Sequence, residues 1–217
     1  MTGAAEALPS RFPIFPLRGA LLLPGGNLPL NIFEPRYLAM IRDAMQTDRV
    51  IGMVQPRHDQ ESAAAPPEIY TIGCVGRISS FSETPDGRYL VTLSGACRFD
   101  VVEELESDTA YRQVLASFDR WRHDMQPVPP PDSLKDGLLG ALEGYFHHHG
   151  IEAEWATLKT APLAALVTSL SMICPFDPTE KQALLEARDL TRQAELLTAL
   201  MQMDARSDTG DASPVRH

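Results

Sequence analysis

The sequence predicts an α+β protein, with a β-rich region first and a helical region after it. Short apolar runs separated by turn residues fill the chain up to about residue 121. A proline-rich stretch follows, and beyond it apolar residues recur at helical spacing. The predicted organisation is a β-rich domain at 12–121, a Pro-rich linker at 122–132, a helical subdomain at 133–204 and a disordered tail at 205–217.

The first predicted elements are two short strands and a helix. The runs FPIFPLR at 12–18 and LPLNIF at 28–33 are apolar, and glycines separate them. Pro35 suits a first helical position, where the missing N–H is not needed. A helix is predicted from about 35 to 47, because apolar residues then recur at helical spacing at Tyr37, Leu38, Ile41, Ala44 and Met45.

Longer strands complete the β-rich region. VIGMVQ at 50–55 is typical of a buried strand, and a polar, proline-containing loop is predicted at 56–68. Two long runs then flank Thr84-Pro85-Asp86-Gly87, which favours a hairpin turn. A last strand is predicted at 111–121. Glycines inside the long runs indicate bends or bulges in a strongly curved sheet, and these are Gly73, Gly76 and Gly95.

The helical region is predicted to begin where Asp132 or Ser133 can cap a helix that runs to about 147. Shorter helical patterns follow it, and prolines and polar residues separate them. These further helices are predicted at 152–158, 162–173, 179–188 and 190–204.

Composition and charge exclude several classes of function. The chain has 217 residues, and its 44% hydrophobic content is enough for a folded core. The net charge is −10 and the isoelectric point is near 5.0. Binding to a nucleic-acid backbone or to an anionic membrane surface needs clustered positive charge, so neither partner is expected.

The number and spacing of the cysteines and the length of the longest apolar stretch indicate the cellular compartment. Cys74, Cys97 and Cys174 are odd in number and far apart, so a disulfide framework or zinc knuckle is not expected. Each lies among apolar residues and is interpreted as a buried small side chain. The N-terminus lacks the pattern of a signal peptide, and the longest apolar stretch is too short to span a bilayer. A reducing, cytoplasmic location is predicted.

The sequence contains no recognised catalytic motif, and no cofactor is predicted. A phosphate-binding loop, a G-x-S-x-G nucleophile elbow and an HExxH zinc motif are all missing. His147, His148 and His149 are consecutive, and residues on a helix point about 100° apart, so a solvated helix end is favoured over a metal site. Glu103, Glu104 and Glu106 are interpreted as a solvated strand end.

The run Glu34-Pro35-Arg36-Tyr37 is the remaining candidate site. Glu34 could accept hydrogen bonds from N–H groups of the first helical turn. Arg36 could pair with a carboxylate or lie over an aromatic ring, and Tyr37 could bury its ring with its hydroxyl paired. Every residue has a structural role available, so the run is interpreted first as a structural signature. A binding role for Arg36 is a secondary hypothesis, and no catalytic role is expected.

The chain resembles the N-terminal, substrate-recognition domain of Lon proteases, in its stand-alone form, from about residue 12 to residue 203. The resemblance begins with Phe15-Pro16-Leu17-Arg18 and extends through the run from Leu28 to Tyr37. It departs from the family pattern at Ala110-Tyr111 and at Cys174-Pro175-Phe176. Further matching runs are 51–54, 72–78, 86–89 and 95–99, with Pro175, Lys181-Gln182 and Leu184-Leu185-Glu186 in the helical half.

The resemblance implies a PUA-like β-barrel with one helix, followed by a helical bundle. It also implies recognition of unfolded polypeptides or exposed hydrophobic segments. Full Lon proteases continue into an ATPase module and a Ser-Lys protease domain, and neither is expected here. A separate protease or ATPase is a further expected partner.

Three functions stay open from the sequence. The first is a non-enzymatic protein- or peptide-binding module that acts as an adaptor or regulator of proteolysis. The second is nucleic-acid binding, because PUA-like folds elsewhere bind RNA, although the net charge opposes it. The third is an unrecognised hydrolase with a cleft near Glu34 and Arg36. The client and the oligomeric state are left open.

Overall fold

The structure is a computed structural model that describes residues 8–57 and 67–207. Residues 58–66 of the predicted loop and 208–217 of the predicted tail lie outside the described residues, as does the N-terminal segment 1–7. The described chain forms two compact units. The sheet unit runs to Pro127 and also includes Pro175–Leu185, and the helical unit comprises Val128–Cys174 and the chain from Glu186 onward.

Six strands form the sheet of the first unit. The strand order is β2-β5-β4-β3-β1-β6, and β6 also pairs with β5. That last pairing closes β5, β4, β3, β1 and β6 into a ring, while β2 extends β5 outside it. The strands are β1 (Arg11–Pro16), β2 (Asn27–Ile32), β3 (Val50–Val54), β4 (Ile72–Glu83), β5 (Tyr89–Leu105) and β6 (Gln113–Ser117).

Bulges and glycines allow the long strands to curve into this ring. The β4–β5 register shifts between Val75 and Gly76, and the β5–β6 register shifts between Val101 and Glu103. A β-carbon at Gly95 would lie 2.0 Å from the carbonyl oxygen of Leu23, so only glycine fits there. The strongly curved sheet that the sequence predicts is therefore confirmed.

Helix α1 (Pro35–Met45) follows β2 directly and lies where the sequence predicts it. Its buried face consists of Tyr37, Met40, Ile41 and Ala44. The turn between β4 and β5 also forms where the sequence predicts it. Gly87 has a positive φ of 81°, and its N–H donates to Thr84 O.

The predicted last strand is too long. Strand β6 ends at Ser117, and a 3-10 helix occupies Asp119–Met125, across the end of the predicted strand and the start of the predicted linker. Trp121 of this helix is 1% exposed. The carboxylate of Asp124 accepts hydrogen bonds from Arg98, which fixes the helix to β5.

The helical unit contains α2, α3, α4 and α6, and α6 packs against both α2 and α4. The predicted caps of its first helix are wrong: Asp132 and Ser133 lie in a 3-10 turn, Leu134 precedes α2, and no side chain caps the helix. Helix α6 also continues to Ser207, beyond the predicted start of the tail. The bounds are α2 (Lys135–His148), α3 (Trp155–Thr160), α4 (Leu163–Ile173), α5 (Pro178–Glu186) and α6 (Leu190–Ser207).

Most of helix α5 belongs to the sheet unit, although the sequence analysis placed it in the helical region. Gln55 Nε2 donates to Pro178 O over 3.0 Å, and Lys181 Nζ donates to Gly19 O over 2.8 Å. Gln182 Nε2 donates to Ile72 O over 3.2 Å. Helical spacing of apolar residues indicates that a helix has an apolar face, but it does not indicate which surface packs against that face. The sequence therefore could not assign α5 to the sheet unit. Within residues 8–57 and 67–207, no helix is long and apolar enough to cross a membrane.

Candidate polypeptide-binding surface

The junction between β2 and α1 contains the four candidate residues of the sequence. Glu34 is the residue before the helix, and its backbone oxygen accepts from the N–H groups of Tyr37 and Leu38, each over 2.9 Å. Its side chain makes no capping hydrogen bond, so the predicted cap is wrong. The carboxylate instead accepts from Arg36 Nε over 2.9 Å, and this competing ion pair explains the difference. Pro35 occupies the first turn, as predicted.

Arg36 makes both of the contacts that the sequence allowed for it, one with a carboxylate and one with an aromatic ring. The guanidinium pairs with Glu34 and also lies 4.5 Å from the centre of the Tyr37 ring. The Tyr37 ring is 6% exposed and lies 4.2 Å from the Phe15 ring, and burial raises the pKa of its hydroxyl. The Glu34–Arg36 pair is nearly half exposed, so it fixes local geometry and adds little stability.

A second anchor of α1 has no signal in the sequence. The Tyr111 hydroxyl donates to Asp43 Oδ2 over 2.7 Å and connects the segment before β6 to α1. Burial and the neighbouring carboxylate raise the pKa of Tyr111 to about 12, because both disfavour the phenolate. The two residues are 68 positions apart, and only the fold brings them together.

Exposed apolar side chains gather beside this junction on the outer face of β5. Tyr89, Val91 and Leu93 point inward, so Arg88 and Leu90 point outward. Phe33 follows the inward-facing Ile32 and lies under the Arg88 guanidinium, 5.9 Å from ring centre to cation. Phe33 is 63% exposed and Leu90 is 46% exposed. We call Phe33, Arg88 and Leu90 the outer patch.

The sheet fixes the backbone around Leu90 of the outer patch. Leu90 pairs with Asn31 on β2 and with Ser82 on β4, so strands lie on both of its sides. Arg88 Nε is held 2.9 Å from Asp86 Oδ2 in the hairpin turn. A surface built on paired strands loses little conformational entropy when a partner binds. The outer patch is therefore suited to contact apolar side chains of another polypeptide.

The neighbouring edge of β2 is a poorer docking element. Among the described strands, β2 pairs only with β5, so its other edge faces away from the sheet. Pro29 lies in the middle of β2 and has no N–H to donate to an added strand. The free edge of β2 is therefore poorly suited to the addition of a strand.

An open groove of about 620 Å³ lies elsewhere on the sheet unit. Part of its lining is the exposed Met125, and the groove contains one acidic and one basic side chain. Its open shape and mixed lining make it a secondary candidate for polypeptide contact. The groove is lined by Ala116, Ser117, Phe118, Asp119, Arg122, Met125 and Gln126.

The buried titratable groups are suited to structure rather than to catalysis. Burial raises the pKa of the Cys97 thiol to about 12 and raises that of Cys74 well above its usual value, so both remain protonated near neutral pH. Thiols held in the neutral form are poor nucleophiles.

Glu104 of the predicted strand end pairs with Arg112, which agrees with a surface role.

Known proteins resemble this chain over most of its length. Residues 11–203 match the family model described as the ATP-dependent protease La (LON) substrate-binding domain. "Lon protease 2" of Myxococcus xanthus is 38% identical over 200 residues, which cover 90% of this chain and 24% of that protein. A "Lon protease" of Flavobacterium johnsoniae is 33% identical over 192 residues, which cover 87% and 23%. The chain thus spans about a quarter of the length of these two relatives.

Solved structures show the same fold. A Lon N-terminal domain protein from Xanthomonas campestris superposes with a TM-score of 0.59 at 25% identity, covering 88% of this chain and 98% of that one. The N-terminal domain of a Mycobacterium avium complex Lon protease gives a TM-score of 0.63 at 15% identity, covering 88% and 97%. The predicted α+β fold, with its C-terminal helical region, is confirmed.

Proposed function

The chain belongs to the family of LON substrate-binding domains, and from this premise we propose that it binds polypeptide segments with exposed apolar side chains. The single observation that carries the proposal is the outer patch, where Leu90 of β5 and Phe33, the residue that follows β2, are both exposed. Single exposed apolar side chains are common in soluble domains, but grouped ones mark contact surfaces. The proposed ligand is an unfolded or partly folded chain.

The Glu34–Tyr37 run serves this surface as a scaffold in our proposal. Tyr37 fixes α1 to β1 through Phe15, and Phe33 is the residue just before the junction. The direction of the chain at Phe33 therefore depends on Pro35 and Tyr37. Arg36 is proposed to contact acidic residues near the apolar segment only as a secondary role, since Glu34 already neutralises it.

The proposed function is non-enzymatic. The family match covers the substrate-binding domain, and burial raises the pKa of the Cys74 and Cys97 thiols. We propose that a separate ATPase or protease acts on the polypeptide that this chain holds, in the cytoplasm, so that the chain is an adaptor or regulator of proteolysis.

The charge distribution supports a polypeptide over a nucleic acid. Several arginines of the sheet unit have carboxylate partners, so their positive charge is locally compensated. The net charge of −10 adds long-range repulsion from phosphate. A hydrolase centred on Glu34 is likewise disfavoured, because its carboxylate is occupied by Arg36.

Fluorescence anisotropy tests the proposal with the full chain. The probes are a permanently unfolded, carboxymethylated protein and an equally charged peptide without apolar residues. We expect saturable binding of the unfolded protein and at least tenfold weaker binding of the polar peptide. Equal binding of both, or no saturation by the unfolded protein at about 1 mM, would overturn the proposal. An RNA oligomer that bound more tightly than either would favour the nucleic-acid alternative.

A further inference from the structure

Two histidines and an aspartate converge in the helical unit. His148 is the last residue of α2, His149 follows it, and Asp204 lies in the last turns of α6. One donor atom from each of the three side chains lies within 4.8 Å of the other two. None of these residues takes part in the proposed polypeptide-binding surface.

The end of helix α2 makes this arrangement possible. His149 has φ −86° and ψ 2°, and Gly150 then adopts a positive φ of 63°, so the chain turns away. The His148 and His149 rings lie 4.9 Å apart with planes at 80°. Side chains of consecutive histidines inside a helix diverge. At this terminus the two rings lie close together and near α6, which contains Asp204. Asp204 lies 55 residues from His149, so no local pattern in the sequence connects the two.

We propose that His148, His149 and Asp204 form a binding site for a divalent transition-metal ion, with Zn²⁺ as the ion to test first. Two imidazoles and one carboxylate are a donor set that Zn²⁺ accepts, with water in the fourth position. Tetrahedral zinc needs donors about 3.4 Å apart, since its bonds are about 2.0–2.1 Å long. His149 and Asp204 are 34% and 41% exposed, so their side chains have room to adjust to that separation.

Contacts around the cluster orient two of the donors. His149 Nε2 already lies 2.5 Å from Asp204 Oδ2, so a bound ion would take the place of this hydrogen bond. The Tyr145 ring, which is 2% exposed, lies 4.4 Å from the His149 ring and limits its rotation. The competing reading is a simple hydrogen bond between α2 and α6, with His148 solvated.

Titration calorimetry with ZnCl₂ on the full, untagged chain separates these readings. The variants are His148→Gln and Asp204→Asn, and His147→Gln is the matched control because it is in the same run but outside the cluster. We expect one zinc per chain, at least tenfold weaker binding in each of the first two variants, and a change below twofold in the control.

Three outcomes would overturn the site. They are no saturable binding to the wild type, an equal loss in His147→Gln and His148→Gln, or wild-type affinity in Asp204→Asn. Circular dichroism confirms that each variant is folded. Zinc should also raise the Tm of the wild type and not that of Asp204→Asn, because an ion that binds only the folded state stabilises it. These outcomes are independent of polypeptide binding.

Discussion

Arg98 and Asp124 form a buried ion pair that joins β5 to the 3-10 helix after β6. Arg98 Nη2 lies 2.6 Å from Asp124 Oδ1, and the two side chains are 6% and 5% exposed. Asp124 Oδ2 also accepts from the backbone N–H and the Nε of Arg98, over 2.9 Å and 2.8 Å. The guanidinium lies 4.1 Å from the Trp121 ring, and Nη1 donates to Leu185 O. One side chain thus holds three parts of the sheet unit.

Breaking this pair from one side should be strongly destabilising. Asp124→Asn leaves the Arg98 charge buried without a countercharge, so we expect a loss of about 3–5 kcal/mol in the free energy of unfolding. Urea unfolding followed by tryptophan fluorescence measures it. The double variant Arg98→Met with Asp124→Leu should lose clearly less than the sum of the single losses, because it removes both charges.

The exposed pair Arg122–Asp119 in the same 3-10 helix provides the control. Its side chains are 76% and 77% exposed, so Arg122→Ala should change the free energy of unfolding by less than about 0.5 kcal/mol. If Asp124→Asn were as mild as Arg122→Ala, the buried pair would have no structural role.

The buried thiols predict a pH dependence. The pKa of Cys97 is raised from 9.0 to about 12 in the folded chain, so the folded state keeps a proton that the unfolded state releases. This contribution to stability is fully present below pH 9 and is lost as the pH rises towards 12. Urea midpoints at pH 8 and pH 10.5 should show a larger decrease for the wild type than for Cys97→Ala. A steeper decrease in Cys97→Ala would contradict the raised pKa.

Thiol labelling tests the same burial independently. Cys74, Cys97 and Cys174 are all buried, so a thiol reagent at pH 8 should react slowly with the folded chain. In 6 M guanidinium chloride all three cysteines should react at once. Fast labelling of one cysteine in the folded chain would show that its surroundings open readily.

The junction residues should separate into stabilising and neutral ones. Tyr37→Ala removes a ring that is 6% exposed and packs on Phe15, so we expect a loss of about 3–5 kcal/mol. Pro35→Ala should also mainly lower stability, by about 0.5–1 kcal/mol, through greater freedom of the unfolded chain. Glu34→Gln removes only an exposed pair and should cost below about 1 kcal/mol. Unchanged melting of Tyr37→Ala with lost polypeptide binding would contradict the structural reading.

Local patterns predicted the parts of the fold that local physics determines. The helix from Pro35 and the turn at Thr84–Gly87 follow from backbone preferences of proline and glycine, and both are present. Arg36 was expected to pair with a carboxylate or lie over a ring, and its neighbours in sequence provide both. Partners within a few residues are accessible to such reasoning.

Contacts between distant segments could not be predicted in this way. Only the tertiary fold brings together the pairs Asp43–Tyr111, Gln55–Pro178 and Arg98–Asp124. Periodicity shows that α5 has an apolar face, but it does not show that Lys181 and Gln182 hydrogen-bond to the sheet unit. The outer patch was missed because Leu90 belongs to a strand whose inward face gave the stronger signal.

The outer patch gives the sharpest test of the proposed function. The double variant Phe33→Ser with Leu90→Ser removes its two exposed apolar side chains, and we expect at least tenfold weaker binding of the carboxymethylated protein. Stability should change by less than about 1 kcal/mol, because neither side chain is buried. The matched control is Val102→Ser, since Val102 is 61% exposed at the far end of the same strand. Val102→Ser should bind the carboxymethylated protein within twofold of the wild type.

Met125→Ser probes the groove beside β6 in the same assay. A loss confined to Met125→Ser would move the binding surface to that groove, and equal losses in Val102→Ser and the double variant would remove the argument for any defined patch.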